Sequence, residues 1–109
     1  MENIREFQYR APRFQVDFQF LVLVGIDQFR YGRCYELSEH GLVAWLSEPL
    51  DVESKATLLF TLPGESSQMV IGATVCRRFG FDHAFTFVAS SPNDRAHLCE
   101  YLSARSPEL

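Results

Sequence analysis

Regular alternation begins at Phe14. Phe14, Val16, Phe18, Phe20, Val22 and Val24 recur with period two, and Gln15, Asp17 and Gln19 take the positions between them. Successive side chains of a strand point to opposite faces, so this pattern predicts a strand with one buried face. Leu21 and Leu23 make its second half apolar on both faces. Residues 25–28 read as a turn. Alternation returns over residues 29–35, where Tyr31, Arg33 and Tyr35 oppose Arg30 and Cys34. The polar stretch Glu36-Leu37-Ser38-Glu39-His40-Gly41 then interrupts it, and residues 42–46 resume as a short apolar strand containing Trp45.

Further along, Pro49 marks residues 47–51 as a loop, because proline has no N–H to give to a ladder. Ala56, Leu58, Phe60 and Leu62 form one face of a fourth strand, and Met69, Ile71, Ala73 and Val75 one face of a fifth over residues 69–78. The Pro-Gly turn of residues 63–67 lies between them, residues 79–82 turn the chain again, and residues 83–89 form the last strand. At Ser91-Pro92-Asn93-Asp94 the signals change to those of a helix start: a capping hydroxyl, a proline suited to the first turn and an acid favourable to the dipole. Ala96, Cys99 and Leu102, with Leu98 and Tyr101, keep helical spacing as far as Ala104.

The expected fold is therefore all-β with one terminal helix: six short strands as a barrel or sandwich, then a helix over residues 92–104. A closed barrel has the further merit of leaving no bare sheet edge. No internal repeat or linker divides the chain. A single domain over residues 1–109 is expected, with an N-terminal arm (1–13), a barrel (14–89) and the helix.

Composition narrows the functional classes. The 109 residues are 47% hydrophobic and 22% charged, which is ordinary for a globular domain and unlike a disordered chain. A formal charge of -4 opposes a role in binding DNA or RNA, which calls for a basic face. Lys55 is the only lysine among ten cationic side chains; the arginine excess suits planar, bidentate recognition of phosphate or guanine. The three cysteines, Cys34, Cys76 and Cys99, lack C-x-x-C spacing and are expected to be buried thiols in a reducing compartment. No signal segment opens the chain, and the apolar run of residues 18–26 is too short to cross a bilayer. A cytoplasmic location without membrane insertion is the expectation.

Chemistry concentrates in two places. Arg10 and Arg13 flank Ala11-Pro12 just before the first strand, where two guanidinium planes on an extended segment can clamp phosphates or guanine edges. Equally, they can be solvated arginines paired weakly with Glu2 or Glu6. In Glu36-x-Ser38-x-x-Gly41, the carboxylate can accept from the N–H donors of guanine and the hydroxyl can serve a phosphate. The glycine there would allow a positive φ and close approach to a ligand. Equally, the segment can be a polar turn that Ser38 closes with a local hydrogen bond. His40, His83 and His97 have no metal-like spacing, and a hydrolase reading of Ser38 beside Glu39 and His40 is discounted because adjacent residues in a turn rarely reach the geometry of a nucleophile, base and orienter. No enzyme activity, metal or cofactor is expected.

Arginines before the first strand, an acid-x-Ser-x-x-Gly segment after the second, and strands followed by a helix together make the chain resemble the PilZ domain over about residues 9–102. The resemblance implies a six-stranded antiparallel β-barrel of bacterial origin. It also implies cyclic di-GMP as ligand, held between an R-x-x-x-R segment and a D/N-x-S-x-x-G segment. On that pattern Arg13, Ser38 and Gly41 match directly. Tyr9 stands at the first arginine position, Arg10 lies one residue from it, and Glu36 replaces the shorter Asp or Asn. Tyr9 in that place can stack on a base. The expected function is a signalling protein that binds cyclic di-GMP through Tyr9, Arg10, Arg13, Glu36, Ser38 and Gly41 and relays its state to a partner protein. The alternative is a PilZ-like adaptor, motility- or pilus-related, that acts through protein contacts without the nucleotide. A third reading, an OB-like binder of single strands, rests on the aromatic barrel and is opposed by the acidic balance.

Overall fold

The computed structural model describes residues 12–105; Tyr9 and Arg10, with the rest of the arm up to residue 11, lie outside the described residues. Six strands follow in order: β1 (Phe14–Val24), β2 (Gln28–Leu37), β3 (Gly41–Leu46), β4 (Lys55–Thr61), β5 (Gln68–Phe79) and β6 (Asp82–Ser90). They close into an antiparallel barrel with the order β1-β2-β3-β6-β5-β4, and α1 (Pro92–Ser103) comes after it. The six strands and terminal helix are those the patterning predicts, and the closed antiparallel barrel is the one the resemblance implies.

The inward positions are those the alternation marks. Phe14, Phe20 and Val22 of β1 are buried, as are Leu58 and Phe60 of β4 and Met69, Ile71, Ala73 and Val75 of β5, while Val16, Phe18 and Val24 pack beside them. Not every phenylalanine belongs to this core. Phe14, Phe20, Phe60 and Phe85 do, but Phe29, Phe79 and Phe81 are exposed, the last two at the tip of the β5–β6 hairpin. Trp45, on the outer face of β3, stacks with Phe81 at 6.3 Å between ring centroids.

His83 points inward from β6 and is buried. Its Nε2 accepts from the Leu50 N–H at 2.9 Å and its Nδ1 lies 2.9 Å from the Phe81 carbonyl. A carbonyl can only accept, so the proton sits on Nδ1 and the ring is neutral. Burial lowers its pKa further. The histidine thus ties the β3–β4 connection to the barrel.

In α1, the Ser91 hydroxyl accepts from the Asp94 N–H at 3.0 Å, the cap expected of this sequence, and the Asp94 carboxylate accepts from Val70 N–H at 3.3 Å. Leu98, Tyr101 and Leu102 are the buried face of the helix. Ala96, expected on that face, is exposed, because docking through Leu98, Tyr101 and Leu102 rotates residue 96 away from the barrel.

Candidate functional site

Three of the four described site residues arrive through one hairpin. β2 runs to Leu37 and β3 starts at Gly41, so Glu36 and Gly41 belong to strands and the interruption shrinks to residues 38–40. Ser38 closes that tight connection. Its N–H donates to the Gly41 carbonyl at 2.9 Å, its hydroxyl donates to the same carbonyl at 3.3 Å and accepts from His40 N–H at 3.2 Å. A hydroxyl has one proton, and that proton is committed within the turn. The local hydrogen bond that closes the turn is therefore present, and Ser38 also lines the wall of the hollow beside it.

Gly41 is also a glycine for a different reason than φ. The glycines with positive φ among the described residues are Gly25, Gly64 and Gly80; Gly41 is ordinary extended strand paired with Thr86. A Cβ at this position would collide with the Phe85 carbonyl oxygen on β6 and come within 3.2 Å of the carbonyl carbon. The expected positive φ is corrected: the glycine serves a close approach of β3 and β6, whose backbone fills the place a side chain would take.

Two bulges complete the surface. Between Cys34, which pairs with Ala44, and Glu36, which pairs with Val43, Tyr35 is an extra residue on β2. Between Val75, which pairs with Phe85, and Arg77, which pairs with Ala84, Cys76 is an extra residue on β5. Bulges re-aim the residues that follow them. Cys34 and Val75 point into the core, yet Glu36 and Arg77 both share the outer face with Val43 and Ala84, which pair with each other. The result is one row across four strands, with an acid at one end, a guanidinium at the other and small apolar residues between. Tyr35 itself reaches across to donate to Asp82 at 3.0 Å; burial, then Asp82, pushes its phenol up to about 12.

These residues surround a concavity of about 390 Å³, within the general range of roughly 300–1,000 Å³ for small-molecule sites. Arg13, Glu36, Ser38 and Gly41 all line it, with Val43, Ala84 and Thr86 as floor and Cys76 and Arg77 on the far wall. Arg13 Nη1 stands 3.5 Å from Glu36 Oε1, their side chains 55% and 21% exposed. The structure thus brings together the four described site residues; Tyr9 and Arg10 lie outside the described residues.

Arg77 and Arg78 follow one another near the end of β5. Both are exposed: Arg77 lines the concavity, and Arg78 donates to Gly80 O at 3.1 Å and to Asp51 at 3.2 Å. The available signal was phase. Met69, Ile71, Ala73 and Val75 are inward, so unbroken alternation would aim Arg77 into the core, and a bulge resolves that conflict. Cys76, expected to be buried, is exposed, because the alternation that turns Val75 inward turns its neighbour outward; Cys34 is buried and Cys99 half-buried. Among the described residues, no group of three or more His, Cys, Asp or Glu could hold a metal ion. No helix among them is long and apolar enough to cross a membrane.

No family model and no curated protein sequence matches the chain. Solved structures do. The Bacillus subtilis inhibitor of motility (MotI/DgrA) superposes with a TM-score of 0.75 at 17% identity, over 88% of this chain and 50% of that one. The PilZ domain of CeSA from a cellulose-synthesizing bacterium superposes with a TM-score of 0.66 at 13% identity, over 84% of this chain and 95% of that domain. The chain spans half the length of the motility inhibitor and nearly all of the CeSA PilZ domain. At such identities the likeness is one of fold, and the fold is PilZ-like.

Proposed function

We propose that this chain is a non-enzymatic signalling module that binds cyclic di-GMP in the concavity on β2, β3, β6 and β5 and relays the bound state to a partner protein. The observation that carries the reading is the convergence of Arg13, Glu36, Ser38 and Gly41, separated by up to 28 positions in sequence, on one hollow of the barrel surface. In this reading Glu36 accepts from the guanine edge, Arg13 takes guanine or phosphate, and Gly41 lines the hollow where β3 and β6 approach closely. Arg10 is three residues from Arg13, within roughly 10 Å of it on an extended chain, close enough to assist. Tyr9 is one residue further and can stack on a base. The PilZ-like fold supports the assignment, and the acidic balance of the chain disfavours DNA or RNA as the ligand. The bacterial, cytoplasmic setting is part of the same proposal.

A second observation favours a partner protein. On the side of the barrel away from the concavity, Tyr31 pairs with Leu21, Leu21 with Leu59, and Leu59 with Val70, all on the outer face. Tyr31 is 72% exposed and Val70 46%. An apolar row facing solvent marks contact surfaces in soluble domains. If the nucleotide proves absent, this face carries the alternative reading, an adaptor working through protein contacts; one solved structure of similar fold is an inhibitor of motility.

Titration calorimetry with cyclic di-GMP tests the primary reading. Saturable binding near micromolar Kd, lost in Arg13→Ala, is expected; no heat with the wild type at about 100 μM dinucleotide overturns it.

A further inference from the structure

We propose that Arg77 is a specificity-determining anion contact of this site, holding a phosphodiester of the bound dinucleotide from the wall opposite Glu36. This rests on the cyclic di-GMP reading above and adds to it a residue outside both sequence segments. The argument is positional. Without the bulge at Cys76, Cys76 would pair with Ala84, and Arg77 would pair with His83, whose side chain is inside the barrel. With it, Arg77 pairs with Ala84 and faces the hollow. A bulge weakens a ladder locally, and one that lifts a guanidinium out of an untenable inward register into a binding hollow does something alternation cannot.

The geometry also assigns which part of the ligand Arg77 meets. Glu36 and Arg77 terminate a row of four paired residues, so three strand spacings, about 14 Å along the surface, separate their backbones. An acid only accepts, which fits the N–H edge of guanine; a guanidinium only donates, which fits phosphate oxygens. The small Val43 and Ala84 between them let a flat, extended ligand lie across β3 and β6. A nucleotide oriented with its base at Glu36 directs its sugar and phosphate toward Arg77. Arg13, beside Glu36, then serves the base end.

Calorimetric titrations of the full chain with cyclic di-GMP, for the wild type, Arg77→Ala and Arg77→Lys, decide the matter. Arg77→Ala should weaken binding about tenfold to a hundredfold, as loss of a charge-assisted hydrogen bond does. Arg77→Lys should recover part of that loss, because it restores the charge without the bidentate fork. The salt dependence of the wild-type affinity should flatten in the alanine variant. Thermal melts of each variant separate a lost contact from a lost fold. Unchanged affinity in folded Arg77→Ala, with the wild type binding, overturns the role of Arg77 and leaves the cyclic di-GMP reading standing. A wild type that does not bind overturns that reading and the Arg77 role with it.

Discussion

Arg13 and Glu36 face each other at 3.5 Å across the rim of the concavity, the arginine in the segment leading into β1 and the acid near the end of β2. The two groups assigned to the ligand therefore neutralise one another when the site is open. Such a half-solvated pair is worth roughly 0–1 kcal/mol, so a ligand can replace it at small cost. Glu36→Gln should leave the melting temperature nearly unchanged while weakening cyclic di-GMP about tenfold or more, since the carboxylate is the stronger acceptor for guanine. Thermal melting beside calorimetry separates the two effects.

Gly41→Ala should act through the fold. Its Cβ would meet the Phe85 carbonyl, which is backbone and cannot rotate aside. The β3–β6 pairing has to shift, at about 1–3 kcal/mol by analogy with overpacked sites. Gly72→Ala is the control: there the nearest atom is the Ala89 side chain at 3.3 Å, so a smaller loss is expected. Urea unfolding of both variants gives the comparison.

The buried neutral His83 makes stability fall in mild acid. Its folded pKa lies below its ordinary value of about 6.5, so the unfolded chain binds the extra proton first. The contribution is whole above about pH 6.5 and declines as the pH drops from there toward the folded pKa. His83→Phe should remove this part of the slope and, by stranding the Leu50 N–H, cost about 1–3 kcal/mol at neutral pH. Unfolding free energies measured between pH 5 and pH 8 for both proteins check it.

The thiols should report the site. Burial pushes Cys34 up to about 12, and it is enclosed by the core, so it should resist a thiol reagent until the protein unfolds. Cys76 is exposed and lines the concavity, so it should react in the native state and be slowed by cyclic di-GMP. Mass spectrometry of the labelled peptides distinguishes the two.

The relay reading has its own expectation. Tyr31→Asp breaks the apolar outer row on the side of the barrel away from the concavity. It should leave the dinucleotide affinity unchanged and abolish capture of the partner that the wild type retains. Parallel calorimetry and pull-down measure both.

Much of this was legible in the chain because alternation is a strong local signal. The inward faces from Phe14 to Val22 and from Met69 to Val75, the capped start at Ser91 and the turn at Pro63 all fell where side-chain period and turn chemistry placed them. The bulges were not legible as such. An extra residue at Tyr35 or Cys76 changes which face the next side chain takes, and only the pairing with β3 and β6 fixes where it sits. The reason for Gly41 also lay on another strand, in the Phe85 carbonyl, beyond the reach of local sequence. Ser38 was readable either as ligand contact or as turn closure, and only its hydrogen bonds with Gly41 and His40 show that it closes the turn while lining the hollow.

The central claim is the location of the nucleotide, and amide chemical-shift mapping during a cyclic di-GMP titration tests it most directly. The account predicts saturable shifts concentrated at Arg13, Glu36, Ser38, Gly41, Arg77 and Ala84, with the outer row of Tyr31, Leu21, Leu59 and Val70 left quiet or moved only slightly. Shifts centred on that outer row instead, or none at saturating dinucleotide, would contradict it.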